Sequence, residues 1–430
     1  MLTFPFLTLS PIQQLQQLGV PEASIKHGLT TMESDRWIVS VEPTQVTLID
    51  LQNGAQVTRR PIQAEAAIMN PLQNILALRS GTTLQIFNLD TKAKVKSHAM
   101  PEPLVFWKWT SGSNLALVTA TSVYHWALDG PGAPEKVFDR HTTLGPNTQI
   151  INYKVSPDGM WCVLGGISAG ADGAVNGNMQ LYSIEKKVSQ PLQGHGSSFA
   201  VIKITGRPDP AQVLVFHEKK PESPNHQLFV MEIGRDPARG AAFRLAPTVI
   251  PIAPDAAADF PVSLVVSAKD EIAYLLTKMG YVYMFDIQSG KTMYRAKVTT
   301  DTIFVTCPQE STGSVFGITV RKGQVFRIQI NGPAVVPYIT STLRDNDLAI
   351  KVAARLGLPG AENLYVAEFE RMISSGNVVE AAKLVAASGN TLRTPATIAR
   401  FQQIPAQPGQ PQPVFQYFSR SEERRVGKEC

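Results

Sequence analysis

A short pattern of alternating and continuous apolar residues, five residues long, recurs seven times along the chain, starting at Val46, Leu84, Val123, Met179, Leu228, Val282 and Val325. Successive starts lie about 40 to 55 residues apart, close to the ~40–50 residues that one four-stranded propeller blade needs. Between the repeats stand Asn53-Gly54, Ser80-Gly81, Asp129-Gly130, Asp158-Gly159, Asn176-Gly177 and Ser289-Gly290. Such pairs supply the positive φ angles of tight hairpins, and the flanking Val, Ile, Tyr and Phe suit a pleated surface. No sustained 3.6-residue period competes with this reading. The expected fold is mainly β, a seven-bladed β-propeller over 1–336, a ring whose seams between blades form grooves.

The period changes near Pro337. Leu348, Val352 and Leu356 fall at helical spacing, and Gly357 and Gly360 then supply helix-ending positions. Segments 361–375 and 378–388 behave alike, with Leu364, Phe369 and Ile373, then Val379, Leu384 and Val385, as inward positions. Short helices joined by Gly-containing turns suggest an α-helical zigzag, the start of an α-solenoid, over 337–418. Three or four helices are few for such an array, so the natural chain is expected to continue. The proline-rich stretch 405–413 reads as a linker or inter-helix loop. Residues 419–430 are abruptly charged and read as a disordered or non-native tail.

Composition narrows the function classes. Apolar residues make up 43% and charged residues 17%, enough for a core and too ordered a mixture for general disorder. Forty basic against 35 acidic residues give a net charge of +5, too little to hold nucleic acid by general attraction. Cys162, Cys307 and Cys430 stand far apart, which indicates neither a zinc site nor a disulfide framework. The first residues lack a basic leader region and no apolar run reaches about 18 residues, so a cytoplasmic protein without membrane insertion is expected.

Several motifs resemble chemistry without its context. Gly166-Ile167-Ser168-Ala169-Gly170 matches a nucleophile elbow, yet the Gly- and Asn-rich sequence after it offers no supporting helix. Ser289-Gly290-Lys291-Thr292 ends like a phosphate loop, but Phe285 stands where its first glycine belongs. The seven histidines show no metal-ligand spacing, so no metal or cofactor is expected, and Asp139-Arg140-His141 reads as a loop ion pair. A propeller enzyme, a hydrolase with its site at the central channel, would need convergent acid, base or metal ligands on inner strands. It is the alternative to a binding module.

One constellation suits binding. Strand alternation places Thr83, Gln85 and Phe87 on one face and Leu84 and Ile86 on the other, with Lys92 and Lys94 following and Arg59, Arg60 and Ile62 one repeat earlier. Where the two repeats meet, Ile62, Leu76 and Phe87 form an apolar floor, Gln85 supplies an amide, and Arg60, Lys92 and Lys94 form a cationic edge. Such a groove fits an extended peptide with large apolar side chains and an acidic end. Alternation equally allows Phe87 in the core with the cations as a solvated rim.

The strings Thr31-Met32-Glu33-Ser34-Asp35, Thr83-Leu84-Gln85-Ile86-Phe87-Asn88, Phe106-Trp107-Lys108-Trp109, Gln149-Ile150-Ile151-Asn152-Tyr153 and Pro337-Tyr338-Ile339-Thr340 are similar to the terminal domain of the clathrin heavy chain family. The resemblance runs from about Gln13 to Phe418. It implies a non-enzymatic coat component whose propeller captures short motifs of adaptor and accessory proteins, at the cytoplasmic face of coated pits and coated vesicles. It also implies that the groove between the first two blades takes the clathrin-box motif, of pattern leucine, hydrophobic, any residue, hydrophobic, acidic. The matching positions are Arg60, Ile62, Leu76, Thr83, Gln85, Phe87, Lys92 and Lys94. A pocket near the top of the ring is implied at Gln149 and Ile151, with His27 where the family has an aromatic residue. A groove between blades four and five is implied at Trp161 and Gln190, with Lys186 where the family often has arginine. A further groove between the last and first blades is left unassigned, because Pro11 stands where an acidic residue is expected. Clathrin light chain binding and trimerisation would use regions absent from this sequence.

Overall fold

Turn glycines and β-branched residues organise the first three quarters of the chain into antiparallel hairpins. The computed structural model describes residues 4–170, 175–204, 207, 209–219, 225–252, 259–405 and 412–426, with side chains through 419. Seven four-stranded sheets form the blades of a propeller, six of them antiparallel meanders in chain order. Blade 1 comprises Thr30–Thr31, Trp37–Val41, Val46–Asp50 and Gln56–Arg60. Blade 2 comprises Ala66–Met69, Ile75–Ser80, Thr83–Asn88 and Ala93–Ala99. The remaining blades follow in chain order, and blade 7 takes Ile303–Gln309, Ser314–Thr319 and Gln324–Ile330 from one end of the ring and Leu7–Gln14 from the other. Every one of the seven recurring apolar segments falls on the third strand of a blade.

The blades bury both faces. Among the described residues, six apolar clusters each span two successive blades. One of them joins Phe316, Ile318 and Val325 of blade 7 to Ile38 and Ile49 of blade 1, which closes the ring by packing as well as by the shared sheet. On the third strand of blade 6, Tyr281–Asp286, every residue is buried. The third strand of blade 2 differs: Leu84 and Ile86 are buried, while Thr83, Gln85 and Phe87 are only half-buried.

Strands end at Ile330, and helix α1, Gly332–Tyr338, begins earlier than the change of period near Pro337 suggests. Pro333 stands in its first turn, where a missing N–H costs nothing. The Phe6 ring meets Tyr338 edge-on at 5.4 Å, and the Asn331 N–H donates to the Phe6 carbonyl at 2.9 Å, so residues 4–8 group with the helices and Leu9–Gln329 forms its own compact unit. Helix α2, Asn346–Leu356, is capped by the Asp345 carboxylate on the Leu348 N–H at 3.0 Å and ends at Gly357 with φ +66°. Helices α3, Glu362–Ser374, and α4, Val378–Ala387, bury Tyr365, Phe369, Leu384 and Val385. Val379, expected inward, is exposed, and Leu364 and Ile373 are half-buried. Helix α5, Pro395–Gln402, starts at the Thr394-Pro395 pair, with Thr394 as its cap. Residues 406–411 of the proline-rich stretch lie outside the described residues. Helix α6, Pro413–Val426, extends into 419–426, part of the stretch read as a disordered or non-native tail; residues 427–430 lie outside the described residues. Among the described residues, no helix is long and apolar enough to cross a membrane.

The histidines, scattered in sequence, are not all scattered in space. His195, His217 and His226 sit within blade 5, ring centroids 5.8 to 6.1 Å apart, beside Phe260. His195 is committed at both ring nitrogens, Nε2 to the Val175 carbonyl at 3.0 Å and Nδ1 accepting from the Lys219 N–H at 3.3 Å. His217 is fully buried, and among the described residues neither of its ring nitrogens has a hydrogen-bond partner. Among the described residues no group of three or more His, Cys, Asp or Glu is arranged to hold a metal. Burial is the main cause that holds all three below the usual histidine range, with the neighbouring rings adding to it at His217 and the Lys219 charge at His195; at His226 burial, His195 and Lys219 together bring it down to about 3.

Both the histidine cluster and a tightly packed turn glycine make this packing testable. Folded histidines that resist protonation bind fewer protons than unfolded ones below pH ~6.5, so each contributes a loss of up to about 1.4 kcal/mol per pH unit as pH falls. Urea unfolding between pH 7 and 5 should show stability declining toward acid, less steeply in His217→Phe; a flat profile would contradict the cluster. The second concerns Gly280, which has φ +83° and would place a Cβ 2.2 Å from the Thr299 carbonyl oxygen, whereas Gly54, at φ +60°, has open space. Gly280→Ala should destabilise by roughly 2–4 kcal/mol and Gly54→Ala by about 1 kcal/mol, read from the same urea midpoints.

Candidate functional site

The seam between blades 1 and 2 is built by ladder register. Leu76 pairs with Phe87, Leu78 with Gln85 and Ser80 with Thr83, so these side chains share the face that packs toward blade 1. Ile62, Leu76 and Phe87 belong to one cluster with Val46 and Leu48. Leu76 is fully buried and supports the floor from beneath, while Ile62 and Phe87 are half-buried and form its surface. Arg60 pairs with Val46, which turns its side chain to the same seam; Arg59, on the opposite face, donates to the Leu18 carbonyl at 2.7 Å. The chain then folds back at Ile62, whose N–H bonds the Arg60 carbonyl at 2.8 Å.

A β-bulge sorts the lysines of the outer strand Ala93–Ala99. Ile86 pairs with Lys96, but Phe87 pairs with Lys94, so Val95 is the extra residue. Lys94 therefore stands on the Phe87 face, and Lys96 on the other, where it donates to the Ala127 carbonyl at 2.6 Å and lies over the Trp126 ring. Strict alternation would have put both lysines on one side. Lys92 sits at the hairpin tip with φ +55°. Among the described residues Arg60, Lys92 and Lys94 form no ion pair, the Arg60 Nε is buried without a partner, and neither Gln85 nor Thr83 makes a side-chain hydrogen bond. The seam thus carries an open apolar floor, a free amide and three uncompensated cations.

The other two implied sites differ in how far the structure assembles them. Trp161 pairs with Ser183 and Leu181 with Gln190, which sets Trp161 and Gln190 on the face toward blade 5. Phe229 and Met231 of blade 5 are half-buried in the same cluster as Trp161. The sequence reading did not include them, although their alternation with buried Leu228 and Val230 was visible. Lys186 lies in the adjoining hairpin turn, its N–H bonded to the Ser183 hydroxyl at 3.2 Å. Gln149 is exposed on the first strand of blade 4, Gln149–Val155, and Ile151 is its bulged residue. His27 is exposed in the segment leading to blade 1, and no hydrogen bond, ring contact or cluster among the described residues joins it to that pair.

The motifs that suggested chemistry resolve into structure. Ser168 lies on strand Trp161–Ala169, paired with Asn176, and the next described element is the strand Val175–Ser183, not a helix. Ser289 is held in a turn by the Asp286 carboxylate. Asp139 pairs with Lys136 at 2.5 Å rather than with Arg140, which donates to the Thr119 and Leu144 carbonyls. On the inner strands, polar groups tie blade to blade: Lys108 pairs with Glu33 at 3.2 Å, and Lys154 donates to the Ser198 hydroxyl and the Leu264 carbonyl. Desolvation and the nearby Lys108 charge bring Lys154 down to about 8, and burial raises the Cys307 thiol to about 12. Cys307 is then no thiolate nucleophile, and the inner strands read as cross-ties.

Two family models cover the helical part: "Clathrin, heavy-chain linker" matches residues 334–355 and "Clathrin-H-link" matches 357–420. Over 94% of its length the chain is 47% identical to the probable clathrin heavy chain 1 of Caenorhabditis elegans and 42% identical to clathrin heavy chain 2 of Homo sapiens. It spans about a quarter of the length of these curated relatives, 24% and 25%. Among solved structures, the Cps50 (Swd1) β-propeller domain of Myceliophteria thermophila covers 75% of this chain and is itself covered completely, at TM-score 0.50 and 9% identity, a likeness of fold alone. A chain from a mitotic checkpoint complex matches 74% of this one, with 92% of its own length, at TM-score 0.50 and 10% identity. With seven blades, the linker segments that follow them and this identity along nearly its whole length, the chain belongs to the clathrin heavy chain family.

Proposed function

We propose that this chain serves as a docking segment of a clathrin coat, and that the seam of blades 1 and 2 binds short apolar and acidic motifs of adaptor and accessory proteins. The observation that carries the reading is the half-open face of Thr83–Asn88 beside Arg60, Lys92 and Lys94, cations without a carboxylate partner among the described residues. An extended peptide would set alternate apolar side chains on Phe87 and Ile62, exchange a backbone hydrogen bond with the Gln85 amide and place its acidic end against the cations. Clathrin heavy chains are structural coat proteins and not enzymes, and docking requires no chemistry of the propeller. The work of this segment would lie in vesicle-mediated transport and endocytosis, at the cytoplasmic face of coated pits and vesicles. The Trp161, Gln190 and Lys186 seam, and the Gln149 and Ile151 pocket with His27, would serve as further motif sites. Light-chain binding and trimerisation would belong to other parts of a longer chain.

A fluorescein-labelled Leu-Leu-Asp-Leu-Asp peptide should bind with an affinity in the micromolar range, about 8 kcal/mol at 1 μM. Arg60→Glu and Phe87→Ala should each weaken it about tenfold or more, and Gln85→Ala by less. Unchanged affinity in all three variants, measured by fluorescence anisotropy, would overturn the assignment.

A further inference from the structure

The seam between blades 3 and 4 contains a cavity of about 450 Å³ that the sequence did not announce. Its volume falls within the ~300–1,000 Å³ of ordinary ligand pockets. A smaller one of about 350 Å³ opens on the other side of blade 3, and the two share Gly132 and Ala133. The cause lies in the hairpin between the third and fourth strands of blade 3, Ser122–Ala127 and Glu135–Asp139. Its sequence, Asp129-Gly130-Pro131-Gly132-Ala133-Pro134, spans the gap with little side-chain bulk, and Ala127 precedes it. Space that a large residue would fill stays open.

Ladder register defines the wall. Asn114 pairs with Ala127, Ala116 with His125, and His125 with Glu135, so Asn114, His125, Ala127 and Glu135 share the face toward blade 4. From blade 4, Tyr182 and Ile184 supply the facing apolar wall. The base is rigid: His125 Nε2 lies 2.7 Å from the Tyr153 hydroxyl, and Tyr182 stacks on Phe138 at 4.6 Å. His125 is neutral at pH 7, because burial lowers it to about 4. The Asn114 side chain has no hydrogen-bond partner among the described residues.

The charge around this cavity contrasts with that of the seam of blades 1 and 2. Asp129 and Glu135 are exposed carboxylates without an ion pair among the described residues, while Lys136 is committed to Asp139. Lys96, on the far side of the hairpin, is committed to the Ala127 and Asp129 carbonyls. Lys187 is the cation left free among the residues lining the cavity. We infer that this cavity docks an extended segment of a partner protein in which a large apolar side chain enters between Tyr182 and Ala127 and neighbouring Lys or Arg residues meet Asp129 and Glu135. It would give the ring a second class of ligand, basic and apolar, separated from the acidic one by a blade.

The test uses three labelled peptides, Gly-Lys-Leu-Phe-Lys, its Glu-for-Lys counterpart, and Gly-Lys-Ser-Ser-Lys, titrated against the full chain by anisotropy. Variants are Ala127→Trp, which fills the cavity, and the exposed pair Asp129→Lys with Glu135→Lys, which reverses its charge without touching the core. The basic apolar peptide should bind wild type at least tenfold more tightly than the other two, and at least tenfold more tightly than it binds either variant. Equal affinity for the three peptides, for wild type and the charge-reversed pair, or no binding at millimolar concentration, would overturn the proposal. Leu-Leu-Asp-Leu-Asp should bind wild type and both variants alike, so failure here is distinguishable from failure at the seam of blades 1 and 2.

Discussion

Burial of both faces of each blade is the constraint on which the rest of this structure depends. A sheet that packs against a neighbour on either side cannot alternate apolar with polar on its two central strands, so its second and third strands become nearly continuous apolar runs. Tyr281–Asp286 and Ile272–Thr277 are buried throughout for this reason. The ring closes because the N-terminal strand Leu7–Gln14 completes the last sheet and because Phe316 and Ile318 pack on Ile38 and Ile49. Polar residues are displaced to the fourth strands and to the outer ends of the seams. Grooves form where a third strand keeps one face incompletely covered.

That constraint explains what could be read from the sequence. The seven recurring segments were legible because a buried third strand writes a compact apolar signature, and each of them is the third strand of a blade. The face shared by Thr83, Gln85 and Phe87 was equally legible, since a period of two fixes it. The sorting of Lys94 from Lys96 was not, because a bulge at Val95 depends on how two strands meet. The contact of His195, His217 and His226 was hidden by similar logic: the three are brought together by pairing and packing across blade 5, which no local spacing encodes. The cavity beside Ala127 is an absence of side chains, and a run of glycine, proline and alanine reads in sequence only as a loop.

In the helical part, the sequence reading found the glycine stop of α2 at Gly357 and missed its Asp345 cap and the helices that start at proline. Asp345 and Gly357 bound α2 as their residue types suggest. Pro333 and Pro395, which look like breakers, sit in the first turns of α1 and α5, where they fit. Among the described residues, the ring presents several half-open seams between blades. If these seams dock motifs as proposed, individually weak contacts would gain strength with a partner that carries several motifs, since each bound motif raises the effective concentration of the next.

The bulge makes the central claim testable at a single pair of lysines. If the seam of blades 1 and 2 holds the acidic end of a peptide, Lys94 faces that end and Lys96, two residues away, faces the opposite seam. The direct measurement is a double-mutant cycle that combines Lys94→Ala or Lys96→Ala with replacement of the final Asp of Leu-Leu-Asp-Leu-Asp by Asn. The account predicts that Lys94 and the peptide carboxylate couple by about threefold or more in affinity at low salt, and that Lys96 couples negligibly. Equal coupling at both lysines, or coupling at Lys96 alone, would contradict it.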